Sequence, residues 1–322
     1  WRDTVLVKGY VVVAPQATLR IEAGTVVRFA GTGDSSDAAR LVIQGRIQAI
    51  GTAERPIILT SDRPDPARGD WGGISFVSSE KRNMLEHCRI EYAASGIAAA
   101  FSTVSLKVVA ITHSNIGVLM RDSVVQMTGG TVTDSDNGIE VHDSEFELRD
   151  ATIAAGKSGI VMNRSAVGIS TVKISDNELY GILSEDCRIK ISSAEISANG
   201  SGVRLKGGEG QILASRFSGN RDTALHLSGS RIKVQRCLFI NNNQDALRLE
   251  DGRALIWGNA FSENKGFNLY NTGREDIVAL QNWWGSSDRS AIVLKIYDAV
   301  RDPRIGSVQL FPWLNEKPQL QP

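Results

Sequence analysis

The chain has 322 residues with 36 Lys plus Arg against 36 Asp plus Glu. That balance argues against a nucleic-acid partner, which calls for a basic excess. No stretch approaches the roughly 20 apolar residues of a membrane span. Gly is common at 31 residues and aromatics are few at 6%, which suits many short strands joined by tight turns.

The chain opens at Trp1 without a Met, an expected mark of a processed or trimmed start and consistent with export. Val11, Val13, Leu19, Ile21, Val26 and Phe29 give strand patterns of irregular period, expected to form a capping coil over an open strand end. Segments Gly31–Ala39 and Ser61–Asp70 interrupt the pattern, and both are expected to leave from the same corner. Asp34 and Asp37 in the first could offer oxygens to calcium, but their spacing matches no strong calcium motif, so a plain loop is expected.

From there a ruler takes over. Gly96, Gly117, Gly138, Gly159, Gly181, Gly202, Ala224 and Ala246 fall 21 or 22 residues apart, a period that means a solenoid. One residue after each stand Ile97, Val118, Ile139, Ile160, Ile182, Val203, Leu225 and Leu247. Ten after stand Leu106, Met127, Leu148, Ile169, Ile191, Ile212, Val234 and Ile256. Fifteen after stand Ile111, Val132, Ile153, Ile174, Ile196, Phe217, Phe239 and Phe261. Polar residues separate these, so each coil holds three short strands of period two. The fold expected is all-β: a single-stranded parallel β-helix of 21–22 residues per coil, capped at both ends. It is right-handed by the general rule for parallel crossovers. It is read as one domain over 1–322, with cap and first coils to 68, regular coils over 69–266 and a last coil and cap over 267–322.

Two further columns sit at corners. Eighteen after each zero the chain reads Ser114, Ser135, Gly156, Asn177, Asn199, Asn220, Asn242 and Asn264, the pattern of an internal amide ladder. Five after come Asp122, Asp143, Arg164, Asp186, Gly207, Gly229 and Asp251, suited to positive φ. Beyond Gly266 the period fades, and Trp283 and Trp284 are expected to plug the last rung. Cys88, Cys187 and Cys237 are an odd number with no framework spacing, so buried inert thiols are expected.

Two surface features stand out. Two residues after the zero, facing outward, come Leu119, Glu140, Val161, Leu183, Arg204, His226 and Arg248. Arg204, His226 and Arg248 form a basic row on adjacent rungs, with Glu140 in the same column, and are the candidate binding residues for an anionic glycan. Outward apolar residues Leu119, Val161 and Leu183, with Leu213, Leu255 and Trp257 on the next face, are the candidate partner contacts. No catalytic residue, cofactor or metal site is assigned. His87, His113, His142 and His226 occupy different columns, and the Cys and Met residues lack ligand spacing.

Thr18-Leu-Arg-Ile-Glu-Ala-Gly-Thr-Val-Val-Arg-Phe29, Pro56-Ile-Ile-Leu-Thr-Ser61, Gly69-Asp-Trp-Gly-Gly-Ile74 and Asn282-Trp-Trp-Gly285 resemble the exported bacterial right-handed β-helix repeat proteins of the pectin-lyase-like superfamily. That resemblance implies an exported setting (periplasm, outer-membrane surface or outside the cell) and leaves activity open. Arg188-Ile-Lys190 and Arg231-Ile-Lys233 spell a polygalacturonase-like tripeptide, and Asn243-Gln-Asp-Ala246 is similar to that family's paired-aspartate segment. Ala246 replaces the second aspartate, however, and the His-Gly element is missing. The reading is therefore a non-enzymatic scaffold or binding module in the cell envelope, contacting an envelope or surface protein or a polysaccharide. The alternative is a polysaccharide lyase or hydrolase acting on acidic glycans. More remote is a periplasmic metal-site maturation factor, suggested by one member of the superfamily.

Overall fold

The computed structural model describes residues 1–31 and 38–319; Asp34 and Asp37, considered above for calcium, lie outside the described residues. The chain forms two compact units, Trp1–Val161 and Met162–Pro322. Both are built as parallel β-helices, so the fold is all-β as the 21–22-residue period requires.

In the first unit the strands of successive coils pair in parallel. Thr4–Val7 pairs with Val26–Phe29, Tyr10–Val13 with Arg40–Ile43 and Thr18–Ile21 with Arg46–Ile50. The N-terminal strands are thus already ladder members, and their uneven period comes from the two inserted segments. Those segments do share a corner: Val26–Phe29 pairs with Ile57–Ser61 and Arg40–Ile43 with Trp71–Val77. The second insertion is tied down by Asp70, which accepts from Ser61 Oγ at 2.8 Å, the Ala67 N–H at 3.0 Å and Arg63 at 3.2 Å.

The columns stack. Ile97, Val118 and Ile139 follow one another in register, as do Ile111, Val132 and Ile153. In the second unit Ile174, Ile196, Phe217, Phe239 and Phe261 form one file. Alternation buries every second side chain: Glu145–Arg149 runs exposed, buried, exposed, buried, exposed. Phe217, Phe239, Phe261 and Trp284 stack with ring centroids 4.7, 5.0 and 4.7 Å apart. Each buried ring removes apolar surface worth about 1.5–3 kcal/mol. Trp284 therefore closes the interior, as expected, while Trp283 bridges Ala260.

Three strands per coil is not uniform. Thr103–Thr112 and Val124–Thr133 fuse the second and third strands of their coils; Leu225–Gln235 and Leu247–Trp257 fuse the first and second. A corner needs only one residue in the left-handed region, such as Val108 at φ 51° or Gly229 at φ 59°, and the ladder resumes on either side. The aspartate–glycine column behaves as expected, with Asp122, Asp143 and Asp186 at φ 46°, 47° and 52°. Two more corner columns, through Asp150 and Ser193 and through His113 and Asp134, also take positive φ.

Buried polar ladders line the corners. Asn177, Asn199, Asn220, Asn242 and Asn264 each donate a side-chain amide hydrogen to the next asparagine, at 2.8, 3.3, 2.9, 2.9 and 3.3 Å, ending on Asn268. A second ladder joins Asn259 to Asn282 at 3.0 Å. In the first unit serines do this work: the N–H groups of Ser79, Ser102 and Ser123 donate to the hydroxyls of Ser102, Ser123 and Ser144. The buried amides and hydroxyls of these ladders are tolerable because they find partners in one another. All three cysteines are free and buried, and burial pushes the Cys88 and Cys237 thiols up to about 12. Cys187 accepts the Ser165 N–H at 3.4 Å, a sulfur standing at a serine-type corner.

Candidate functional site

Parallel register with a 21–22-residue step turns a column of sequence into a straight file of side chains. On the outward face of the first strand of the second unit that file runs Leu183, Arg204, His226, Arg248. It continues through two residues outside the expected row, Tyr270 and Tyr297. Rungs lie about 4.8 Å apart. The Arg248 guanidinium sits over the Tyr270 ring, 4.8 Å from its centroid, and the two tyrosine rings stack at 4.4 Å. Phe267 packs against both at 5.4 and 5.5 Å, and Arg301 lies over Phe267 at 5.3 Å.

The short helix Arg289–Leu294 delivers Tyr297. Asp288 caps it, accepting from the Ser290 and Ala291 N–H groups at 3.3 and 3.2 Å. Behind it, Lys295 donates to the carbonyls of Asn264, Lys265 and Gly266 at 3.0, 3.2 and 3.1 Å. This insertion hid the tyrosines from the period. Spacing alone would not have found Tyr297, although Tyr270 falls 22 residues after Arg248.

Carboxylates flank the file. Glu250 Oε2 lies 3.2 Å from His226 Nε2. Asp245 is buried and accepts the Phe267 N–H at 2.9 Å. Burial, then the nearby Arg204 charge, holds the His226 imidazole below its ordinary range, against the pull of Glu250. Burial also raises the Asp245 carboxyl, opposed by the Phe267 N–H and by Arg248. Arg204 and Arg248 make no ion pair among the described residues, so two guanidiniums, an imidazole and an aromatic shelf face outward together.

The structure thus brings Arg204, His226 and Arg248 together. Glu140 belongs to the first unit, where it accepts from Asn137 Nδ2 at 2.7 Å and lies 3.5 Å from His142. Among the expected partner contacts, Leu255 and Trp257 are exposed, at 38% and 44%. Leu119, Val161, Leu183 and Leu213 are only half-buried. Among the described residues no group of three or more His, Cys, Asp or Glu side chains is arranged to hold a metal ion, and no helix is long and apolar enough to cross a membrane.

Two family models match the chain. One, described as a right handed beta helix region, matches residues 95–230 and 137–284. The other, described as a pectate-lyase like beta helix domain, matches residues 2–102. A search of the curated proteins finds no match. Among solved structures, a double mutant of the periplasmic alginate epimerase AlgG shares 11% identity at a TM-score of 0.56, over 95% of this chain and 77% of that one. A single mutant of the same epimerase shares 11% at 0.54, over 97% and 85%. The Agl-KA catalytic domain shares 11% at 0.50, over 91% and 62%. At such identities the likeness is one of fold.

Proposed function

We propose, for a chain that belongs to the right-handed β-helix family, that the first-strand face of its second unit binds an acidic polysaccharide in an exported setting. The observation that carries this reading is the file itself: Arg204, His226 and Arg248 on consecutive rungs, ending on stacked Tyr270 and Tyr297. Guanidiniums recognise carboxylates by charge and fork geometry. A tyrosine shelf offers an apolar face to a sugar ring while leaving its hydroxyl in water. The rung spacing is close to the length of one pyranose residue, so a linear uronate chain lying across the strands meets one side chain per sugar. The structural likeness to a periplasmic alginate epimerase supports a glycan ligand and export.

One observation favours turnover as a second reading. Burial, then the Arg204 and Arg248 charges on either side, lower the His226 imidazole against the pull of Glu250, which favours the proton-accepting form. Facing a uronate, Arg204 or Arg248 would neutralise the carboxylate while the His226 ring nitrogen not turned to Glu250 takes the proton from C5. The electron pair left behind either returns to C5 from the other face, giving epimerisation, or forms the C4–C5 double bond as the C4–O bond breaks and the departing oxygen takes a proton.

Affinity electrophoresis through gels containing polygalacturonate or polymannuronate tests binding. Wild type is expected to be retarded, and the pair Arg204→Ala and Arg248→Ala to weaken retention at least about tenfold, since each lost charged hydrogen bond is worth roughly 1.5–3 kcal/mol. Equal mobility of variant and wild type overturns the reading. Absorbance of unsaturated ends and NMR of C5 stereochemistry then separate turnover from binding alone.

A further inference from the structure

The second unit carries another charged surface, on its second-strand face, where Arg188, Arg231, Lys233 and Arg253 stand among Glu209, Glu275 and Asp276. A groove of about 710 Å³ runs across the strands there, from Arg188 to Asp276, within the size range of ligand sites. It spans five coils, about 19 Å at the strand spacing, so it is long and open rather than a pit. Its origin is a change in one inward column. Where other coils carry a buried branched or aromatic residue, two here carry Gly210 and Ala254, both only half-buried. Gly210 is fixed by backbone, since a Cβ there would lie 1.9 Å from the Ile189 carbonyl oxygen. Ala254 stands two coils on in the same column, and both line the groove.

The charges are arranged unevenly. At one end Glu209 pairs with Arg188 at 3.5 Å. At the other, Asp276 accepts from the Ser307 N–H and hydroxyl at 2.7 and 2.8 Å. Between them stand Arg231, Lys233 and Arg253, which make no ion pair among the described residues. Arg231 and Arg253 are direct ladder partners, and like charges directly opposite in a sheet are destabilising. Beside them Leu255 and Val278 are adjacent and exposed, at 38% and 39%.

We propose that this groove is a second binding site for an extended acidic oligosaccharide, lying across the strands with its acid groups on Arg231, Lys233 and Arg253 and its sugar faces on Ala254, Leu255 and Val278. Charge complementarity selects an anion. The length of the groove, across five coils, selects a linear polymer over a compact headgroup. The site shares with the first-strand face only the class of ligand, and a chain with both faces engages two polymer segments at once.

Calorimetric titration of the full chain with short galacturonate or mannuronate oligomers of defined length tests this. Wild type is expected to bind two oligomers. Arg231→Ala with Arg253→Ala, and separately Ala254→Leu, should abolish one of them or weaken it at least about tenfold, leaving the other intact. Arg204→Ala with Arg248→Ala should remove the complementary site. If the groove variants change neither stoichiometry nor affinity, the groove proposal is overturned while the first face stands. If only the Arg204 and Arg248 variant is silent, the first-face reading falls and the groove stands. No oligomer binding by wild type overturns both. Binding of anionic phospholipid vesicles, lost with Arg231→Ala and Arg253→Ala in a chain that ignores oligomers, also overturns the groove proposal in favour of a lipid surface.

Discussion

The two units use the same coil and decorate it differently. In the first unit the outward file of the first strand reads Ala98, Leu119, Glu140; in the second it reads Arg204, His226, Arg248, Tyr270. Inside, the first unit stacks aliphatic side chains at Ile111, Val132 and Ile153, and the second stacks aromatic rings from Phe217 to Trp284. The long asparagine file from Asn177 to Asn264 lies in the second unit, and the serine file from Ser102 to Ser144 in the first. In the first unit Arg68, from the second inserted segment, clasps Asp134 and Asp136 at 2.5 and 2.9 Å, spending surface charge on itself. The lesson is that stacking constrains the inside, where each residue must match its vertical neighbour, and leaves the outside free to specialise.

Breaking the interior should give the largest effects. Phe239→Ala removes the centre of the aromatic stack and is expected to lower unfolding free energy by about 3–5 kcal/mol, whereas Ile153→Val in the first unit should lose about 0.5–1.5 kcal/mol. Denaturant titration compares them, and equal losses would show that the rings add nothing beyond ordinary packing. Asn220→Ala comes next. It strands the Asn199 N–H and amide and leaves the Ile196 carbonyl without its donor, at about 1–3 kcal/mol per orphaned group. Ser123→Ala orphans only the Ser102 N–H and should cost less by the same assay.

Titration sharpens the comparison on the outer face. His226 is depressed from the usual value of about 6.5, so the unfolded chain takes up its proton first. Stability should be unaffected above that value, fall as pH drops from about 6.5 to the folded value, and level off below it. His226→Gln should remove that decline. Asp245 has the opposite sign: its raised carboxyl resists ionisation in the fold, so a cost appears as pH rises past about 3.9 and is complete above its folded value. Asp245→Asn can still accept the Phe267 N–H, so it should stabilise the chain at neutral pH and change nothing well below 3.9. Smallest of all, Arg204→Ala should move unfolding by no more than about 0.5 kcal/mol while weakening glycan retention, which separates the file's role in binding from any role in folding.

Much of this was legible from spacing. The files through Ile97, Leu106 and Ile111, the asparagine ladder from Asn177 and the basic row are direct readings of a 21–22-residue ruler, because parallel register makes sequence distance into vertical neighbourhood. What escaped did so for physical reasons. Serine at Ser102 and Ser123 is ordinary in any turn, and only coordinates show that its hydroxyl serves the coil before it. Corners at Val108 and His113 carry residues with no preference for positive φ, imposed by tertiary context over local propensity. Tyr297 lay beyond a helix that broke the count. The groove was invisible because Gly210 and Ala254 look like minor lapses in an inward column, and a cavity is made by what a column lacks.

The asparagine ladder also has a direction. From Asn177 to Asn268 every amide gives its hydrogen toward the C-terminal side and receives from the N-terminal side. Such a chain of aligned dipoles has interchangeable middle members. An added turn of 21 or 22 residues, such as a repeat of 202–223, would find the same neighbours above and below, whereas one a few residues longer or shorter would take its amide out of line. Growth by tandem duplication is therefore quantised: evolution, or an engineer, can lengthen the outward files one rung at a time without redesigning the interior.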